Sequence, residues 1–385
     1  MKHLLNPRVK EIEISGIRKF SNMVAQVPEA ISLTIGQPDF ATPSHIKQAG
    51  ITAIENNRTV YTPNPGLLEL RQAASQFVQQ KYQLDYDPAT EIIVTNGASE
   101  ALDIAMRTIL VEGAEVILPG PIYPGYEPLI KLSGAIPVYL DTTNTGFTIN
   151  ANMLEAAITE KTRCIILPYP SNPTGVVMTS EELAEIAKVI RDREIFIISD
   201  EIYSELTYGC EHVSIAIYPA LREKTIVING LSKSHSMTGW RIGFTFAPAY
   251  LTEQMVKVHQ YNVTCASSVS QYAALEALTN GLDDARPMKE QYLFRRDYVY
   301  NRLLAMGFDV VKPNGAFYIF PSIKPFGLTS LDFATNLLHQ EKVAVVPGDA
   351  FSPIGEGYIR ISYAYAMSQL EEAMNRLERF IHSQG

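Results

Sequence analysis

Seven short apolar runs constrain most strongly what this chain can fold into. They are Ile92–Val94, Val116–Leu118, Val138–Leu140, Ile165–Leu167, Ile195–Ile198, Ile226–Ile228 and Ile242–Phe246. All are short and rich in β-branched residues, which predicts strands. Helical patterns stand between several of them, for example residues 179–190, opened by a Thr179…Glu182 capping box. Strands alternating with helices predict an α/β fold, a seven-stranded and mostly parallel sheet covered by helices on both faces. Ligands of such sheets bind beyond the carboxyl ends of the strands. The residues directly after each run are therefore the first candidates for function.

The first run is followed by Thr95-Asn96-Gly97-Ala98-Ser99, with a helix expected from about Glu100. Small residues there offer free backbone N–H groups to an anion, although the spacing is not GxGxxG. Pro119-Gly120-Pro121-Ile122-Tyr123 presents an aromatic face, and Tyr169-Pro170-Ser171-Asn172-Pro173-Thr174-Gly175 a rigid turn with one amide. Ser199-Asp200-Glu201-Ile202-Tyr203 follows the fifth run, where the plain alternative for Asp200 is a helix cap. The sixth leads into Leu231-Ser232-Lys233-Ser234, and Gly239-Trp240-Arg241 precedes the seventh. A lysine and an arginine would then stand at one end of a sheet. Each segment alone reads as an ordinary turn; their placement after successive strands is what points to a site.

Outside the sheet the pattern is looser. Residues 1–40 read as irregular, with shaped loops at Ser15-Gly16-Ile17-Arg18 and Ile35-Gly36-Gln37-Pro38. Helices are expected at 43–56 and 67–82, with Tyr61-Thr62-Pro63-Asn64-Pro65-Gly66 looping between them. Helical patterns run from about Leu251 to Met306, broken once near Asn280-Gly281. Short strands are expected at Val310-Val311, Ala316–Phe320, Val343–Val346 and Tyr358–Ser362, and a last helix at 368–382. This predicts a smaller α+β domain. The expected division is 1–45 as an N-terminal arm and part of the small domain, 46–285 as the large domain, and 286–385 as the rest of the small one. Arg360 falls on a strand with the opposite facing to Ile359 and Ile361, and reads as half-exposed.

With 385 residues, 46% hydrophobic and 19% charged, the chain has the composition of an ordinary globular protein. A net charge of −9 without a basic run argues against nucleic acid as a partner. Three scattered cysteines and seven unclustered histidines give no disulfide frame and no metal site. No signal peptide or membrane-spanning run is visible, so a cytoplasmic protein without membrane contact is expected.

The segments GQPDF, TNGASEAL, YPSNPTG, SDEIYSEL, SKSHSMTGWRIG and YIRISYA, in this order, resemble the class I, fold-type-I pyridoxal-phosphate aminotransferases. The resemblance runs from Gly36 to Ala364. It implies that Lys233 links covalently to the cofactor and later carries a proton, that Asp200 faces the pyridine nitrogen, and that Tyr203 and Asn172 bond the ring oxygen. It further implies that Arg241, Ser232, Ala98 and Ser99 hold the phosphate and that Tyr123 stacks on the ring. Arg360 would bind the substrate α-carboxylate, with Gly36 and Asn172 beside it. Tyr61 would reach the phosphate in the neighbouring subunit of a homodimer with shared sites. Over its whole length the chain is also similar to bacterial N-acetyl-L,L-diaminopimelate aminotransferases of lysine biosynthesis, which implies 2-oxoglutarate as amino acceptor. Aromatic or broad-range transamination, and β-lyase chemistry on the same fold, are the enzyme alternatives; a transcription regulator built on the fold would need a DNA-reading extension. Ile17 and Arg18 are candidate contacts to the far end of the substrate, on a lid hinged at Gly16 or on an arm packed against a dimer partner.

Overall fold

A computed structural model describes residues 1–384. The first strand, β1 (Ile31–Ser32), lies outside the main sheet. The seven apolar runs become β2 (Ile92–Asn96), β3 (Glu115–Gly120), β4 (Ile136–Asp141), β5 (Thr162–Leu167), β6 (Phe196–Asp200), β7 (Thr225–Gly230) and β8 (Ile242–Phe246). All seven join one sheet in the order β2-β8-β7-β6-β5-β3-β4. The pairs β3·β4, β3·β5, β5·β6 and β6·β7 are parallel, whereas β8 is antiparallel to both β7 and β2. Six strands thus run one way and one is reversed. Both faces are buried along these near-continuous apolar strands except at the edge strand β4, whose residues are half-buried or exposed. Helices Leu68–Tyr82 and Ser268–Asn280 pack with β2, β7 and β8, and helices Ala98–Ile109 and Tyr126–Leu132 cover the opposite face. The capping box of helix Ser180–Ile190 forms as read, with Thr179 and Glu182 bonding each other's backbone.

The remaining strands are β9 (Tyr318–Ile319), β10 (Val343–Ala344), β11 (Val346–Pro347) and β12 (Ile359–Ser362). β12 pairs with β11 on one side and β9 on the other, while β10 pairs with β1. Phe20 and Leu33 are buried in one core with Tyr292, Phe333, Ile361 and Phe380. The N-terminal residues therefore share a core with the C-terminal ones.

The structure corrects five readings. Residues 1–40 are not irregular throughout: Pro7–Lys10 and Gly16–Val24 are helical. Ile17, Phe20 and Val24 recur at helical spacing, a signal masked by the dense glycine and proline around it. Gly16 is the first residue of that helix, and a Cβ there would meet the Ala350 Cβ at 2.9 Å, so it is a close-packing residue and not a hinge. The stretch from Leu251 to Met306 has a second break at 263–267, where Thr264 takes a left-handed backbone at φ +66°. Val310-Val311 forms no strand; next to it only Asp309 bridges, to Ser322. Val343–Val346 is not one strand either, because its two ends pair in different sheets on either side of Val345. Val345 is buried in a core without ladder pairing, which satisfies the same apolar pattern as a strand, whereas Val311 is an exposed apolar residue of a loop.

Where β2 hands over to helix Ala98–Ile109, β8 passes too close for a side chain. A Cβ at Gly243 would lie 2.5 Å from the Gly97 carbonyl carbon and 2.6 Å from the Ala98 nitrogen. Gly243→Ala should therefore destabilise the protein by roughly 1–3 kcal/mol through backbone displacement. Gly239→Ala, with nothing within 4 Å of its Cβ, should change stability by less than about 0.5 kcal/mol. Urea unfolding of the two variants checks this.

Candidate active site

Because β2 to β7 end on one edge of the sheet and β8 starts there, the residue just before β8 arrives among the residues just after the others. That residue is Arg241, left-handed at φ +57°. A cavity of about 470 Å³ occupies this edge. Its walls carry Ala98 and Ser99 after β2, Tyr123 and Tyr126 after β3, and Asn172 after β5. Asp200 and Tyr203 come from the end of β6, Ser232 and Lys233 from the end of β7, and Arg241 from the start of β8. Ile17, Thr34, Gly36, Tyr318 and Arg360 close it from the other side.

Lys233 sits in the one-turn helix Leu231–Ser234 directly after β7, and its Nζ donates to the Gly36 carbonyl at 2.6 Å. The rings of Tyr203 and Phe317 lie 5.6 and 5.9 Å from it. Burial, then the charges of Arg360 and Arg241, bring its amine down from the ordinary 10.5 to about 8; Asp200 opposes them.

Asp200 is the last residue of β6 and is buried. No helix follows it, so the cap reading fails. It accepts from the Tyr126 hydroxyl at 2.7 Å and the Ile202 amide at 3.2 Å. Burial pushes its carboxyl above the usual range, and those two donors pull the other way. Tyr203 shares a 2.8 Å hydrogen bond with Tyr318.

Arg360 departs most from its sequence reading: it is 2% exposed, not half-exposed. β12 is the central strand of its small sheet, and all four of its residues are buried, so both of its faces are covered. The guanidinium donates through Nη1 to the Asn172 Oδ1 at 2.9 Å and through Nη2 to the Thr34 carbonyl at 2.5 Å. It stacks on Tyr318 and Phe351, with the guanidinium carbon 4.5 and 4.9 Å from the ring centres. Its Nε is buried with no partner among the described residues. An unpartnered buried donor of a permanent cation calls for an acceptor. By accepting with Oδ1, Asn172 keeps its Nδ2 as a donor.

Arg241 donates to the Thr238 and Asn96 carbonyls at 3.0 and 3.4 Å. A Cβ at Gly97 would run into its guanidinium, so the glycine before helix Ala98–Ile109 makes room for the cation. That helix has no side-chain cap, which leaves its first amides to an incoming anion.

Of the residues named from sequence, Tyr61 and Arg18 are outside this cavity. Tyr61 is 84% exposed. Arg18 lines an adjoining cavity of about 840 Å³ that shares Ile17, Ser21 and Tyr123 with the first. Thr34, Tyr126 and Tyr318 were not anticipated. Tyr126 lies three residues after Tyr123 and could have been read with it; Thr34 acts through its backbone, which no side-chain pattern reveals.

The sequence matches the family model for aminotransferases of class I and II over residues 28–377. The chain belongs to that family. This aminotransferase is 62% identical over 381 residues to the probable N-acetyl-LL-diaminopimelate aminotransferase of Bacillus subtilis (strain 168), covering 99% of this chain and 96% of that one. The aromatic aminotransferase from Pyrococcus horikoshii OT3 superposes with a TM-score of 0.90 at 43% identity, over 94% of this chain and 99% of that one. The aspartate aminotransferase from Thermus thermophilus, solved with maleate, does so with a TM-score of 0.92 at 33% identity, over 97% and 99%.

Since the amine of Lys233 falls to about 8, it is neutral above that pH and charged below it. In the cofactor-free aminotransferase, acylation of Lys233 by a small amine-selective reagent should fall as pH drops through about 8, well below the ordinary lysine midpoint. Peptide mapping across a pH series checks this; a midpoint near 10 would contradict it.

Proposed function

We propose that the aminotransferase uses pyridoxal 5'-phosphate to move the α-amino group of N-acetyl-L,L-2,6-diaminopimelate to 2-oxoglutarate, as in lysine biosynthesis. The observation that carries the reading is the pairing of Arg360 with Lys233 across one cavity. A guanidinium with a spare buried donor faces the same space as an amine of lowered pKa. The donor set also fits the cofactor: an amine, a buried carboxylate without a counter-ion, and an arginine beside free helix amides. In this reading Arg241, Ser232 and the amides of Ala98 and Ser99 hold the phosphate, Asp200 pairs with the ring nitrogen, and Tyr123 lies against the ring. When bound, the cofactor withdraws electrons from the substrate Cα and so makes its proton acidic.

The protein's own groups supply the rest. Arg360 grips the α-carboxylate, held in place by Asn172 and Thr34, and this orients the Cα–H toward Lys233. With its pKa brought near neutrality, the Lys233 amine takes the Cα proton and can return it, as a general base and acid. Tyr203 and the Nδ2 of Asn172 donate to the ring oxygen. The same clamp and the same lysine serve the oxo-acid half of the reaction in reverse.

The donor's far end is assigned to the side where the two cavities share Ile17, Ser21 and Tyr123. There Arg18, with no acidic partner among the described residues, is assigned to a distal carboxylate. Tyr61, fully out of its own cavity, is assigned to the phosphate site of a second copy in a homodimer. Mixing Tyr61→Phe with Lys233→Ala subunits should then restore part of the activity through hybrids with one intact site. No recovery despite proven subunit exchange would remove Tyr61 from the site.

A half-reaction screen of amino acids, read by the change in cofactor absorbance, tests the function directly. The acylated donor and glutamate should react fastest. Arg360→Ala should lower kcat/KM by about ten- to a hundredfold or more, as expected for loss of a charge-assisted contact. Arg18→Ala should raise KM for the dicarboxylic donors and leave alanine unaffected. Aromatic donors reacting faster than both would favour the tyrosine-lined walls as an aromatic pocket and overturn the substrate assignment. Release of ammonia in place of transfer would mean β-lyase chemistry.

A further inference from the structure

We infer that Glu201 and His212 are a positioning pair that holds the turn bearing Asp200 and Tyr203 against the active cavity. The inference rests on that cavity being the pyridoxal-phosphate site. The segment from Glu201 to Leu206 belongs to no strand or helix, so no ladder fixes its side chains. Among the described residues four backbone bonds shape it: Glu201 N to Ile228 O at 2.8 Å, Ser204 N to Glu201 O at 2.9 Å, Leu206 N to Tyr203 O at 2.8 Å, and Ala316 N to Leu206 O at 2.8 Å. Yet two groups assigned to the cofactor ring stand on this turn and the residue before it.

Side chains supply what the backbone lacks. Asp200 faces the cavity, while Ser199 and Glu201, its neighbours along the chain, bond to each other away from it. Glu201 is 0% exposed. Its Oε1 accepts from the Ser199 hydroxyl at 2.8 Å and the Ser214 hydroxyl at 2.5 Å, and its Oε2 bonds the His212 Nε2 at 2.8 Å. His212 packs edge-on to Tyr82, with ring centres 5.2 Å apart. The Tyr82 hydroxyl in turn bonds Ser204 at 2.7 Å and Glu205 at 2.6 Å, and Asn229 donates to Ser204 at 3.0 Å. The turn is thereby held at both ends from three directions: helix Leu68–Tyr82, β7 and the 212–214 loop.

Neither Glu201 nor His212 lines the active cavity, so neither touches a reacting group. A buried carboxylate–imidazole pair is a poor device for stability, because apolar residues of equal volume would do as well or better. Its distinctive contribution is to admit one arrangement of the surrounding chain. The fully buried carboxylate also acts on its neighbour, adding to the upward push on Asp200.

The test uses the holoenzyme reconstituted with pyridoxal phosphate. Glu201→Gln keeps the shape and the two serine donors but removes the charge; Ser214→Ala and His212→Ala each remove one donor. Thr179→Ala, which breaks the remote capping box, serves as a control that loses stability alone. Glu201→Gln should lower kcat by about tenfold or more while KM for the amino donor, set at Arg360, stays within about threefold. The visible circular dichroism of the bound cofactor should change with it, because that signal reports how the ring is seated. Ser214→Ala and His212→Ala should move both readouts in the same direction, and they decide the matter should Glu201→Gln not fold. Variants that lose stability as Thr179→Ala does, with unchanged kcat and dichroism, would reduce the pair to a packing element and overturn the inference. A wild-type protein that neither binds pyridoxal phosphate nor transaminates would instead overturn the reading of the cavity, and this inference with it.

Discussion

Positive charge held out of water organises this molecule's active edge. Lys233, Arg241 and Arg360 share one cavity, and Asp200 is the one carboxylate on its wall. Burial alone makes cations costly, and mutual repulsion adds to the cost. The protein answers in two ways. It lets the lysine give up its proton more readily, since its amine falls to about 8 under burial and the two arginines. It leaves Arg360 incompletely satisfied, with its Nε buried and unpartnered among the described residues. Such a cavity is completed by anions. A phosphate at one end and a carboxylate at the other would do so, and the same fields that bind them keep the amine between them ready to accept a proton.

The sheet's topology makes this gathering of charge possible. In an all-parallel sheet every loop at the carboxyl edge departs from a strand end. Reversal of β8 brings a chain segment to that edge from the opposite direction, with Arg241 at its tip. Close passage of β8 past the start of helix Ala98–Ile109 then demands glycine at Gly243, and the Arg241 guanidinium demands it at Gly97. Cation, helix amides and reversed strand are therefore one local solution to a packing problem. Arg360 arrives by a different route, on the covered central strand of the small sheet, and its partners Asn172 and Thr34 come from opposite sides of the cavity. Thr34 follows Leu33, whose carbonyl accepts from the Ser362 amide of β12. A shift of the small sheet relative to the large one would therefore break the Asn172 bond and keep the Thr34 one. Clamp geometry and sheet position are coupled through Asn172.

Much of this was legible in the sequence because strands buried on both faces write themselves as uninterrupted apolar runs, and all seven runs pair in one sheet. The turns at their ends were legible for the same reason: a polar or glycine-rich segment after such a run has few alternatives to being a loop at the sheet edge. Legibility failed where burial and secondary structure part company. Val310-Val311 is as apolar as a strand, yet forms none. Arg360 looked half-exposed because alternation along a strand tells which face a side chain takes, not whether that face is covered. The helix Gly16–Val24 was hidden by neighbouring glycines and prolines, whose turn signals outweighed three well-spaced apolar residues. Tyr126 and Thr34 illustrate a further limit: a hydroxyl aimed at Asp200 and a backbone carbonyl aimed at Arg360 exist only once the tertiary structure has formed.

An aminotransferase must seat two different substrates in one cavity, and here the two ends of that cavity differ in how firmly they are built. The near end is rigid. Arg360 is buried, stacked between two rings and held by two acceptors. The far end is formed by one face of helix Gly16–Val24, with Ile17 on the cavity wall and Arg18 one residue along in a wider, more open space. That helix is anchored by Phe20 in the core and by close contact of Gly16 with Ala350. On the proposed reading, Ile17 offers an apolar surface to a short substrate and Arg18 a cation to a long one. On the same reading, a rigid near end fixes the reacting carbon whatever side chain the substrate carries. Selection among donors is then left to the length and charge of that side chain, measured against a wall whose chemistry changes within two adjacent residues.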